Sequence, residues 1–170
     1  MPFQQLAQSS SKAVRAPPPG ADKRRIVCFS LADELPKLHC EANTLYWAKA
    51  LLTMTYNFID GAIVHSRELP PFDIPQLRFV EAGLALAHSQ PTKAPVKGKS
   101  SSTLCGAYLL EEKIEGGSAV FTKFIHNMDC GPSLDEGEEG YGVAQFLAFT
   151  QHVQYIQTSK LVFISDYQGK

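Results

Sequence analysis

The chain has almost no net charge, −1 from 16 basic and 17 acidic residues. Such a balance sets up no global field that would draw it to nucleic acid or to an anionic membrane surface. No apolar run reaches the ~18 residues that a membrane-spanning helix needs. The first twenty residues are rich in Ser, Gln and Pro and hold no apolar h-region, so they do not read as a secretory signal. Cysteine is sparse: Cys28, Cys40, Cys105 and Cys130 stand far apart, with no C-x-x-C pair. That spacing speaks against a disulfide framework and for reduced thiols in an intracellular, cytoplasmic setting. Neither G-x-G-x-x-G nor G-x-x-x-x-G-K-[ST] occurs, and Lys99-Ser100 lacks the glycine frame of a phosphate loop. None of His39, His65, His88, His126 and His152 falls in H-x-x-x-H or H-E-x-x-H spacing. The His39-Cys40 pair is too small for a zinc site, which needs about four ligands. No Ser, Cys or His forms a visible nucleophile–base pair.

What is present fits one domain of 170 residues, 44% apolar, enough for a core. Residues 1–25 read as a disordered tail, with Gln-Gln, Ser-Ser-Ser, Pro-Pro-Pro-Gly and the basic triplet Lys23-Arg24-Arg25. Residues 26–31 have the length and composition of a strand. A long helix follows, with Asp33 as N-cap and Pro36 in its first turn. Leu38, Ala42, Leu45, Leu52, Tyr56 and Ile59 carry its period to about Asp60-Gly61, and Glu41 reads as an exposed carboxylate near its start. A proline-rich connection spans 69–75, strands are expected within 76–87, and 89–103 reads as a mobile basic loop. A strand over 104–110 ends at Glu111-Glu112. Gly116-Gly117 marks a turn, 120–125 is a strand, and 129–142 is a glycine-rich acidic loop. A second helix over 143–158 shows Phe146, Leu147, Phe149, Val153 and Ile156 on one apolar face, with His152 as a packed or half-buried residue. Residues 161–164 form the last strand. The class is α+β, with two parts meeting near 110–118, and a cleft between such parts is a natural nucleotide site.

Two places carry candidate chemistry. The final strand delivers Asp166-x-Gln168-Gly169. If the backbone stays extended, Asp166 and Gln168 point to one face, where a carboxylate and an amide oxygen can share a magnesium ion; the same residues also suit a simple turn. Glu111-Glu112 follows an apolar strand, where it is either a purine-contacting strand end or a solvated pair of acids.

Blocks of sequence tie these places together. Tyr108-Leu-Leu-Glu-Glu-Lys-Ile-Glu-Gly-Gly precedes Val120-Phe-Thr-Lys-Phe-Ile-His-Asn127, and Ala144-Gln-Phe-Leu-Ala-Phe-Thr-Gln-His-Val-Gln-Tyr155 precedes Lys160-Leu-Val-Phe-Ile-Ser-Asp-Tyr-Gln-Gly169. Their order resembles the middle of the alpha-type (atypical) protein kinases, and residues 38–49 resemble the fungal branch of that family. The resemblance spans roughly 26–169 and is strongest from 104 onward. It implies a two-lobed, protein-kinase-like fold, with an N-lobe over about 26–110 and a partial C-lobe over about 111–170. It implies a protein serine/threonine kinase that moves the γ-phosphate of ATP, with magnesium, to a protein substrate, without nucleic acid or membrane partners. Glu111 or Glu112 would then lie on the adenine side, and Asp166 and Gln168 would hold magnesium and the phosphates.

Departures from the family pattern are also legible. Ser30 or Phe29 stands where the family has its ATP-binding lysine. The second, catalytic aspartate, the glycine-rich nucleotide loop and the His/Cys zinc module have no counterpart before Lys170. The expectation is an impaired, truncated kinase domain with exposed apolar surface on the second helix and on 161–164. The alternative is an inactive pseudokinase, an interaction module or a partial gene product.

Overall fold

The computed structural model describes residues 4–8, 30–68, 70–89, 103–114 and 121–170. The fold is α+β, with strands β1 (Gln4–Gln8), β2 (Leu77–Phe79), β3 (Ala82–Ser89), β4 (Thr103–Glu111), β5 (Thr122–Lys123) and β6 (Tyr167–Gly169), and helices α1 (Leu31–His65) and α2 (Tyr141–Gln157). The chain divides into two compact units that are not consecutive segments. One comprises residues 1–9, 44–81 and 112–170; the other comprises 10–43 and 82–111. Residues 44–81 group with the C-terminal part, and β2 joins the same sheet as β6.

The first unit is built on a four-stranded sheet in the order β2-β1-β6-β5, with β1–β2 parallel and the other pairs antiparallel. The reading of residues 1–25 as a disordered tail is corrected within Gln4–Gln8, which hydrogen-bonds on both sides; residues 9–25 lie outside the described residues. The α1 residues Leu45, Ala48, Leu51, Leu52, Thr55 and Ile59 are buried at helical spacing. Phe79 stacks on Tyr167 with ring centroids 6.2 Å apart, and Tyr56 of α1 lies 6.0 Å from Phe146 of α2.

The second unit holds the start of α1 and the β3–β4 hairpin, which runs from Ala82↔Glu111 to Ser89↔Thr103 with an irregularity at Ala87/His88. The expected 89–103 loop lies outside the described residues except at its ends, which are strand. So does the expected strand 26–31 except for Ser30 and Leu31, of which Ser30 caps α1 and Leu31 begins it. Ser30, not Asp33, caps the helix: its Oγ accepts from the Asp33 N–H at 3.3 Å and donates to Asp33 Oδ2 at 2.7 Å. Serine is a strong N-cap because its side-chain oxygen reaches an otherwise unpaired amide. Pro36 therefore sits beyond the first turn, where its missing N–H leaves the Ala32 carbonyl without the usual helical donor.

Helix α2 starts after Gly140, which adopts φ +93°. It ends through two left-handed residues, Ser159 (φ +56°) and Lys160 (φ +68°). Leu161, Val162 and Phe163 are exposed, as are Phe149 and Ile156 of the expected apolar face. His152 is exposed rather than packed.

Candidate functional site

The site around Asp166 begins with a polar stripe inside α2. Thr150, Gln151 and Gln154 are buried among apolar neighbours, and at spacings of three and four they share one face. The Gln151 amide donates to the Ile164 carbonyl at 2.7 Å, and the Ile164 N–H donates to Gln154 Oε1 at 2.9 Å. These side-chain amides take the place of ladder partners. Residues 161–164 are therefore not the last strand; that strand is β6, and Asp166 lies just before it rather than at a strand's end.

Tyr167 completes the frame. Thr150 Oγ1 donates to the Leu147 carbonyl at 2.7 Å. The Tyr167 hydroxyl therefore donates to Thr150 Oγ1 at 3.3 Å and accepts from Gln154 Nε2 at 3.4 Å. Burial pushes its phenol up to about 12, against the pull of these two bonds. The Tyr167 carbonyl accepts from Phe124 N–H at 2.9 Å and Ile125 N–H at 3.2 Å, which locks β6 to the segment after β5.

Asp166 adopts φ +67°, a left-handed conformation in which aspartate is better tolerated than most residues. The extended alternation assumed for Asp166 and Gln168 is thus broken at Asp166. Lys123 brings them together instead. It stands opposite Gln168 in the β5–β6 ladder, and its ammonium pairs with Asp166 Oδ1. Residues directly opposite share a face, so Lys123, Asp166 and Gln168 cluster on one side of the sheet. Lys123 as a partner of Asp166 is not legible in the sequence.

Glu111 and Glu112 have different surroundings. Both Glu112 oxygens meet Arg78, at 2.7 Å from Nη1 and 2.8 Å from Nη2. Its N–H donates to the Glu81 carbonyl at 2.7 Å, and Glu112 Oε2 accepts from the Glu81 N–H at 3.1 Å. Glu81 in turn meets Lys49 at 2.6 Å. The bidentate pair with Glu112 raises the Arg78 pKa. Both the carboxylate and the amide of Glu112 are thus engaged with Arg78 and Glu81. Glu111 is exposed; partial burial, and then the Glu41 carboxylate in the same unit, raise its pKa. Glu41 itself is half-buried rather than exposed.

Among the described residues, no group of three or more His, Cys, Asp and Glu is arranged to hold a metal ion. Asp166 and Gln168 supply two oxygen-bearing side chains, and Lys123 already neutralises one Asp166 oxygen. Two such donors are fewer than the roughly six ligands a magnesium ion takes, and Lys123 competes for one of them. No helix among the described residues is long and apolar enough to cross a membrane. Compared with family models, curated proteins and solved structures, the chain finds no significant match in any of the three.

Proposed function

We propose that the chain is a phosphotransferase domain of the alpha-type protein kinase kind: two-lobed, cytoplasmic, and transferring the γ-phosphate of ATP to serine or threonine of a protein. The observation that supports this reading is the Lys123–Asp166–Gln168 cluster, held by the buried Tyr167 frame. Phosphoryl transfer asks a protein mainly for position and charge neutralisation. Asp166 and Gln168 would hold magnesium, which when bound supplies positive charge against the phosphate oxygens. Lys123 fixes the Asp166 carboxylate and brings a cation to the same face. Transfer is slow in this reading, because Ser30 is a helix cap where the family has a lysine.

Equilibrium binding of labelled ATP, with and without magnesium, tests the proposal. Magnesium-dependent binding is expected, weakened at least about tenfold by Asp166→Asn, since removing a charge-assisted contact typically costs that much or more. Absence of ATP binding, or binding that is the same in Asp166→Asn, overturns it.

A second reading, an inactive interaction module, is favoured by the engagement of Glu112 with Arg78. ATP binding without any transfer to a serine-rich test protein would select it.

A further inference from the structure

A groove of about 880 Å³ lies along the end of α1, the proline-rich strap 70–75 and the start of α2. All its lining residues belong to the unit that carries the four-stranded sheet. None of Glu111, Glu112, Asp166 and Gln168 lines it. Its size falls within the range of small-ligand sites.

Phe58, Phe72, Phe146 and Phe149 give the groove its aromatic walls. The rings of Phe146 and Phe149 lie 6.2 Å apart, and Phe58, Phe72 and Phe149 remain exposed to whatever enters. Glu68 and Asp73 are exposed members of the lining, and no Lys, Arg or His is among its described residues. The start of α2 contributes about half a positive charge, less than the two carboxylates contribute with the opposite sign.

The walls are held in place before any ligand arrives. The Tyr56 hydroxyl donates to the Pro75 carbonyl at 2.8 Å and accepts from the Leu77 N–H at 2.7 Å, tying the strap to α1. The Ser66 hydroxyl donates to the Glu68 carbonyl at 2.6 Å, fixing the turn that carries Glu68. A fixed wall saves the ordering cost of binding.

The geometry points to a binding site for a small organic cation with an apolar body, a tertiary or quaternary alkylammonium. The alkyl part lies among the phenylalanines, removing apolar surface from water. The ammonium sits toward Glu68 and Asp73 and against aromatic faces, whose quadrupoles attract cations. An anionic amphiphile of the same length has the same apolar gain but meets like charge at the rim.

Calorimetric titration of the full chain with octyltrimethylammonium, octanesulfonate and octanol tests this. The ammonium saturates a single site, octanol binds at least about tenfold more weakly, and the sulfonate does not bind. The exposed-residue variant E68Q/D73N, with an unchanged circular dichroism spectrum, weakens ammonium binding about threefold to tenfold, as loss of two exposed charge contacts does. Ala62→Trp, which places a large ring in the groove from an exposed position on α1, removes binding. If Ala62→Trp does not fold, the E68Q/D73N comparison decides alone. No saturable ammonium binding, equal affinity for the sulfonate, or undiminished affinity in E68Q/D73N each overturns the assignment.

Discussion

Tyr167 is the residue on which most of the local order converges. Its ring stacks on Phe79, its carbonyl anchors Phe124 and Ile125, and its hydroxyl ends the polar stripe of α2. Because the buried phenol ionises near 12 rather than at the ordinary 10, the folded state keeps a proton that the unfolded chain has already lost between those values. The associated stability is fully present below pH ~10 and is lost as pH rises toward ~12, an alkaline loss of about 3 kcal/mol. Urea melts recorded on both sides of that window check this. Tyr56, whose pKa burial also raises, adds to the same slope. Tyr167→Phe should therefore reduce the alkaline loss without abolishing it. At neutral pH the variant loses about 1–2 kcal/mol, because Gln154 Nε2 is left without its buried acceptor. An alkaline slope in Tyr167→Phe as steep as in the parent chain would show that another group carries it. The hydroxyl's role was hidden in sequence. Thr150, Gln151 and Gln154 interrupt an apolar helix pattern, and that interruption was the available signal. Without knowing which segment passes over the stripe, it reads only as polar surface.

At the scale of elements, the positions of the helices were legible and their ends were not. The apolar period found α1 and α2, but Ser30 outcompeted Asp33 as the cap, since its Oγ could both receive the Asp33 amide and bond the Asp33 carboxylate. Strand lengths failed where bonds other than the ladder satisfy the backbone. Residues 161–164 have strand composition, yet the Ile164 amide and carbonyl go to α2 side chains. The entry of α2 is more tightly specified. Gly140 has φ +93°, and a Cβ there would lie 3.1 Å from Phe124 Cε1. Gly140→Ala should thus lose about 1–3 kcal/mol, from backbone strain and a forced shift of the ring. A urea midpoint equal to that of the parent would contradict this. Arg78 and Glu112 provide a test of a different kind, because they join elements far apart in sequence. A double-mutant cycle with Arg78→Gln and Glu112→Gln should give a favourable coupling that shrinks as salt is raised, as expected for a half-exposed bidentate pair. Zero coupling at low salt would mean that the backbone bond from the Glu112 N–H to the Glu81 carbonyl holds these segments together without it.

For the whole molecule, the decisive feature is that its units are assembled from separated stretches of chain. Residues 1–9 belong with 44–81 and 112–170. The α+β class followed from the mixture of helical and alternating patterns. This assembly did not, because the linking strand β1 reads Gln-Gln-Leu-Ala-Gln and carries no alternating apolar signature. Its place is set by backbone pairing. Gln4, Gln5 and Leu6 align with Leu77, Arg78 and Phe79, while Leu6, Ala7 and Gln8 align with Gly169, Gln168 and Tyr167. Without β1, β2 would have no partner in this sheet, and β6, which holds Gln168, would keep only β5. Leu6→Pro should therefore act as a mutation in a central strand. Proline removes an amide from a strand paired on both sides and with it a hydrogen bond of the ladder. The expected result is a large drop in the urea midpoint, together with faster hydrogen exchange at Leu77–Phe79 and Tyr167–Gly169, the two strands that β1 joins. If Leu6 belonged to an unstructured tail, the substitution would leave both observables unchanged. A drop in midpoint with protection retained at both strands would also count against β1 as the link, because the loss would then arise outside the sheet. Gln168 pairs with Ala7 as well as Lys123, so under the proposed function Leu6→Pro would weaken ATP binding to the degree that it frees β6.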